Sequence, residues 1–280
     1  MCFRATTTLR ILIVLVGTFP SLARAADKVD APTLDTGYRQ MYNLEFADAH
    51  RTFEAWQKAH PEDALGPVSN AAAYLFAEFE RLHVLEAELF TDNERFENRT
   101  KLSPDPSVQA AFESELRRAD QIADRTLASS PDDSSALFAK IMVNGLRSDY
   151  AALVEKRNLA ALSSAKDARA LAERLLSRDP SYYDAYLAVG VENYLLGLNP
   201  APIRWLLRLS GAQTDKDEGI AKLRLTAEKG RFLAPYARLL LAVAALRDHD
   251  RQQARELLSG LAEEFPQNKL YRRELGRITP

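Results

Sequence analysis

Cysteine is almost missing from this chain of 280 residues, Cys2 being the only one, so no disulfide can form within it and no thiolate metal cluster can be built. A surplus of positive charge is missing too. The 37 Lys and Arg are outnumbered by 39 Asp and Glu, and a phosphate backbone is gripped by clustered Lys and Arg, so nucleic acid is not an expected partner. Beyond the first twenty residues there is no apolar run long enough to span a bilayer. Alternating runs rich in Val and Ile, the mark of strands, are also lacking. Gly-x-Ser-x-Gly, a phosphate loop, His-Glu-x-x-His and the dinucleotide fingerprint do not occur. Ser210-Gly211 and Ser259-Gly260 lack the strand and upstream glycine of a nucleophile elbow. These absences lead us to expect no catalysis, no cofactor and no metal site.

What is present begins with a processing signal. Arg4 and Arg10 give a positive start, Ile11 to Phe19 an apolar core and Ala23-Arg24-Ala25 a small-x-small cleavage pattern. Residues 1–25 are expected to be a cleaved signal peptide, with an exported, periplasmic or secreted protein starting at Ala26. The apolar core is about half the roughly 20 residues of a spanning helix. Cys2 precedes that core, whereas a lipoprotein cysteine follows it. Arg4, Arg10 and Arg24 leave with the leader, so residues 26–280 keep 34 of the 37 basic residues against 39 acidic ones. The hydrophobic fraction of 46% suffices for a core without disulfides.

Along residues 26–280 apolar positions recur at intervals of three and four. Leu162, Ala165, Ala168, Leu171, Ala172, Leu175 and Leu176 form one stripe, with Asp167, Arg169, Glu173, Arg174 and Arg178 on the other faces. Asp179-Pro180 ends this helix, because proline has no amide hydrogen and restricts its predecessor. The same spacing returns four times: Ala49, Phe53, Trp56, Pro61; Ala119, Ala123, Thr126, Pro131; Ala168, Ala172, Leu175, Pro180; Ala254, Leu258, Leu261, Pro266. Each set reads as the second helix of a hairpin. The alanine marks a close helix crossing, where a larger side chain typically costs about 1–3 kcal/mol. The expectation is an all-α chain of five hairpins near 31–60, 64–129, 134–179, 182–230 and 233–265, with insertions near 91–107 and 196–217. Tyr236 to Leu246 is apolar nearly all round, so that helix should be enclosed by neighbours.

This pattern resembles the tetratricopeptide repeat family, with Gly37 twelve residues before Ala49 and Tyr186 with Gly190 standing at the family's first-helix positions. Trp56, Thr126, Leu175 and Leu261 depart from the family's alanine, and the prolines are 70, 49 and 86 residues apart instead of roughly 34. From Met41-Tyr42-Asn43-Leu44-Glu45-Phe46 to the Asp215–Gly230 stretch the chain is similar to exported bacterial proteins with degenerate repeats of this type. The resemblance implies a right-handed α-solenoid whose first helices line a concave face that holds a protein or peptide partner.

Registering the repeats places Tyr38, Met41, Tyr42, Asp184, Leu187, Val191, Tyr194, Tyr236, Leu239 and Val243 on that face. Packing is expected of the leucines and valines, and partner binding of Tyr38, Tyr42, Asp184 and Tyr194. A solute-binding accessory of the cell envelope, with a small-ligand pocket inside the solenoid, is the alternative. In the 196–217 insertion Arg204, Trp205 and Arg208 either rest on a membrane surface or a partner, or close the side of the solenoid. His50, His60, His83 and His249 lack ligand spacing. The carboxylates from Glu78 to Glu97 read as a solvated helix face.

Overall fold

The computed structural model describes residues 33–86, 102–197 and 215–278, all within one compact unit, Pro32–Pro280. These residues form eleven α-helices and no strand: α1 (Leu34–Tyr42), α2 (Phe46–Ala59), α3 (Leu65–Arg81), α4 (Pro106–Ser129), α5 (Ser134–Asp149), α6 (Asn158–Arg178), α7 (Tyr186–Gly197), α8 (Lys216–Lys229), α9 (Ala234–Arg247), α10 (Arg251–Glu264) and α11 (Lys269–Ile278). Each helix packs on the next in sequence, and α3 packs also on α1 and α5. The helix α11 lies beyond the last expected hairpin. None of the described helices is long and apolar enough to cross a membrane. Most of the insertions near 91–107 and 196–217 fall outside the described residues.

Two kinds of helix end recur. The helices α2, α4, α6 and α10 stop at His60, Ser130, Asp179 and Phe265, each followed by proline and each with φ between −134° and −123° and ψ between 67° and 84°. That extended backbone is what a following proline imposes. In all four the residue's N–H closes the last helical turn and its carbonyl accepts from the residue three further on, at 3.0–3.2 Å. That residue then caps the next helix in three cases: Asp63 accepts from the Leu65 amide (2.9 Å), Asp133 from Ala136 (2.8 Å) and Asn268 from Leu270 (3.0 Å). One short sequence, Pro-x-Asp/Asn, thus ends a helix and starts the next.

The helices α1, α3 and α9 end differently, on Leu44, His83 and His249 with φ of 64°, 55° and 61°. After each, the next amide returns five residues, as Glu45 does to Gln40, Val84 to Phe79 and Asp250 to Ala245. This is the Schellman closure, normally built on glycine. Two of the four histidines are therefore helix stops.

All four repeat alanines, Ala49, Ala119, Ala168 and Ala254, are buried. Close crossings are also made by glycine: a Cβ on Gly37 would lie 2.3 Å from the Phe53 ring, and one on Gly219 would lie 2.6 Å from the Tyr194 backbone nitrogen. Helix α9 is enclosed, no residue from Phe232 to Arg247 being exposed.

The substitution Gly219→Ala should lower the free energy of unfolding by about 1–3 kcal/mol, because backbone cannot yield to the new methyl. Gly145→Ala, in α5 with nothing within 4 Å of its added carbon, should raise it by about 0.5–1 kcal/mol. Urea unfolding midpoints of the two variants check both signs.

Candidate functional site

The first described helix meets the last ones around α9. Tyr38 of α1 stacks on Phe232 at 4.8 Å between ring centres, and Phe138 of α5 lies 6.4 Å from the same ring centre. Further along, Phe76 of α3 meets Tyr236 edge-on at 5.4 Å and Tyr42 at 5.7 Å, and Tyr42 meets Phe265 at 5.7 Å. Helices α1, α3 and α5 thus present aromatic side chains to Phe232, in the bend before α9, and to Tyr236 in its first turn. Tyr38 and Tyr42, one turn apart on α1, share that face of their helix. Aromatic pairs of this kind contribute about 0.5–1.5 kcal/mol each beyond their buried area.

Polar contacts hold the same junction. Asp184 reaches the segment before α9, where Oδ2 accepts from the Arg231 amide (2.9 Å) and Oδ1 from those of Phe232 (3.1 Å) and Leu233 (2.8 Å). Burial pushes its carboxyl upward in pKa, against the pull of these three amides and Arg231. Arg231 makes a two-pronged ion pair with Asp35 of α1 (2.8 and 2.6 Å) and lies over the Phe232 ring at 4.8 Å. At the other end Asn268 donates to the Tyr42 carbonyl (2.8 Å), and Gln267 bonds Asn43 and Glu45 (3.0 Å each). Arg273 and Arg277 of α11 both pair with Glu86.

Beside Tyr236 a narrow cleft opens among α1, α3, α9 and α11, lined by Tyr42, Leu44, Phe76, Glu80, Tyr236 and Leu270 among others, with a free volume of about 10 Å³. That is room for roughly one water. The Tyr42 hydroxyl, fully shielded from solvent, has no hydrogen-bond partner, and Leu44 contributes to the lining from its left-handed backbone.

The residues chosen from sequence fall as follows. Tyr38 and Tyr42 come together and are buried against the chain's own Phe232 and Phe265; Tyr38 also accepts a hydrogen bond from Ser69 (3.0 Å). Asp184 is adjacent to them through Phe232. Tyr194 of α7 is buried, and its hydroxyl is unpartnered. Arg204, Trp205 and Arg208 lie outside the described residues. Of the carboxylate run, Glu78 is buried instead of solvated: it binds Arg81 and accepts the Asp105 amide at 2.8 Å, anchoring the start of α4. Glu86 joins the ends; Glu88, Asp92, Glu94 and Glu97 lie outside the described residues.

Sequence reasoning missed a polar network between α2, α3 and α4. His50 Nδ1 bonds Asn70 Oδ1 at 2.6 Å, and Gln57 donates to Glu115 at 3.1 Å, a carboxyl raised in pKa by burial. The signal was Asn70 inside the apolar stretch from Leu65 to Phe79. His60, for its part, packs on Trp56, ring centres 4.1 Å apart. Among the described residues no group of three or more His, Cys, Asp and Glu side chains is placed to hold a metal ion.

Removing the Asp184 carboxylate strands three amides, so Asp184→Ala should cost about 3 kcal/mol. The exposed Asp35–Arg231 pair should couple by only about 0.2–1 kcal/mol in a double-mutant cycle. Chemical denaturation of the four variants measures both. Comparison of the chain with family models, with curated proteins and with solved structures returned no match.

Proposed function

We propose that this chain is an exported interaction module of degenerate tetratricopeptide type, a right-handed stack of five hairpins closed by α11, that holds a protein or peptide partner and carries out no catalysis. The observation that carries this reading is the proline corner repeated after α2, α4, α6 and α10, three times as Pro-x-Asp/Asn, together with the left-handed stops after α1, α3 and α9, because a repeated joint between helices is what a stack of equivalent hairpins requires. In it α1, α3, α5, α7 and α9 are the first helices of their pairs, those that line the concave side in this family. The leader at residues 1–25 supports an address in the periplasm or outside the cell.

The inner face already displays the recognition chemistry. Phe232, just before α9, and Tyr236 on it are received by the faces of α1, α3 and α5. The chain's own α9 fills the middle of that face. A partner would engage what is left beside it, the cleft at Tyr42, Leu44, Phe76 and Leu270, with Glu80 offering one charge. A space of about 10 Å³ is far below the roughly 300–1,000 Å³ of a small-molecule site, which is why a macromolecular partner is preferred to a bound solute. Arg204, Trp205 and Arg208 are a second proposed contact surface, toward a partner or the membrane.

The test is capture by the tagged chain, made in its native envelope, with Leu44→Asp as the comparison. A protein retained by the unsubstituted chain and lost from Leu44→Asp supports the reading. Repeated captures without protein, together with a small molecule released by solvent extraction, would replace it with the solute-binding alternative.

A further inference from the structure

Phe138, Met142, Gly145 and Asp149 follow one another on α5 at intervals of four, three and four, which sets them along one side of the helix. That side faces the α9 segment: Phe138 meets the Phe232 ring, and Asp149 Oδ2 accepts the Tyr236 hydroxyl at 3.2 Å. Between the two contacts it stays open, since a carbon added to Gly145 would meet nothing within 4 Å. Tyr236 also meets Phe76 of α3 edge-on at 5.4 Å, and both rings keep some exposed surface. Glu80, one turn after Phe76, lines the cleft together with Tyr236. Two part-exposed rings therefore stand with a carboxylate near them on each of α3 and α5.

Neither carboxylate has a cation of the chain's own among the described residues. Arg147 and Lys140 of α5 bind Asp120, and Arg117 of α4 pairs with Glu113. On α3 Arg81 holds Glu78; Arg157 pairs with Glu155, and Arg238 of α9 with Glu264. Asp149 Oδ1 is left without a partner, in a residue that keeps some exposed surface. A charge so enclosed is ordinarily paired, and the end of a helix, where Asp149 stands, disfavours a negative one. Burial accordingly lifts this carboxyl in pKa from 3.8 to about 7, against the pull of the Tyr236 hydroxyl.

We propose that this face takes a cationic side chain of the partner, with Asp149 as its ion-pair acceptor, the rings of Phe76 and Tyr236 as the wall it lies against, and Glu80 as the acceptor for a second positive group. Arginine fits best. Its guanidinium stacks on aromatic rings, grips a carboxylate with two N–H groups and sheds less hydration than an ammonium on entering a part-buried site. Leu44 and Leu270, in the cleft beside Tyr236, call for apolar residues next to the charges, so the partner is a segment in which basic and apolar residues alternate. An acidic or uncharged segment would leave Asp149 covered and uncompensated. The inference rests on the partner-binding reading of the inner face and adds the partner's charge to it.

The probe is a fluorescent peptide of alternating leucine and arginine, with glutamate in place of arginine for comparison, and binding to the full chain is read by anisotropy. The arginine peptide should bind and the glutamate peptide should not. Asp149→Asn, which keeps an acceptor for Tyr236, should weaken binding at least about tenfold, and Glu80→Gln should weaken it less. Glu256→Gln, exposed on α10, should leave it unchanged. No loss in Asp149→Asn, or an equal loss in Glu256→Gln, would overturn the proposal, since binding would then follow net charge alone. Carbon-13 titration of the Asp149 carboxyl in the parent needs no variant: its midpoint should fall by about 1–3 when the arginine peptide saturates the chain, and an unmoved midpoint contradicts the site. A protein captured from the envelope, lost from Leu44→Asp but kept by Asp149→Asn, leaves the interaction module standing and removes this site. An arginine peptide held through Asp149 where no protein is captured keeps the site and removes the module.

Discussion

The contact of Phe232 and Tyr236 with Tyr38, Phe76 and Phe138 is the constraint from which the remaining features of the structure follow. It joins α1 to residues nearly two hundred positions later and places α9 among α1, α3 and α5. A helix so placed has no solvent face, which explains why Tyr236 to Leu246 is apolar nearly all round. It also explains why the amides ahead of α9 need an internal acceptor, since water cannot serve them there, and Asp184 supplies it.

Magnitudes rank the contacts at this junction. Stacked and edge-on rings contribute about 0.5–1.5 kcal/mol apiece on top of their buried surface, and Asp184 satisfies three amides that would otherwise each cost about 1–3 kcal/mol. The ion pair Asp35–Arg231 is exposed, where a pair contributes about 0–1 kcal/mol, and Glu86–Arg277 is half-buried. They fix the angle at which α1 and α11 approach; the rings and Asp184 hold the junction together. Left-handed Leu44 adds a strain of roughly 1–2 kcal/mol, tolerated because the turn lets α2 fold back on α1 and sets Leu44 at the cleft.

Much of this was legible in the sequence. Helices, their proline stops and the small residues at crossings are local or periodic properties, and Ala49, Ala119, Ala168 and Ala254 are buried where a repeated crossing demands it. The capping residue two positions after three of the four prolines was overlooked, although Asp63, Asp133 and Asn268 carry that signal plainly. The long-range junction was not legible, because nothing local marks Tyr38 as a neighbour of Phe232. An aromatic residue on an inner helix looks the same whether it awaits a guest or meets another part of its own chain. For the same reason Asp184 read as a contact for a partner, while the amides it binds are nearly fifty residues away. Glu78 read as solvated because its neighbours are charged, and only the fold brings the Asp105 amide to it.

Coupling between Tyr38 and Phe232 probes the central claim most directly. In a double-mutant cycle with Tyr38→Ala and Phe232→Ala, stabilities should depart from additivity by about 1 kcal/mol, as expected of rings in stacked contact. Additive losses within about 0.3 kcal/mol would mean that the first helix and the α9 segment do not touch, contradicting the account of this junction.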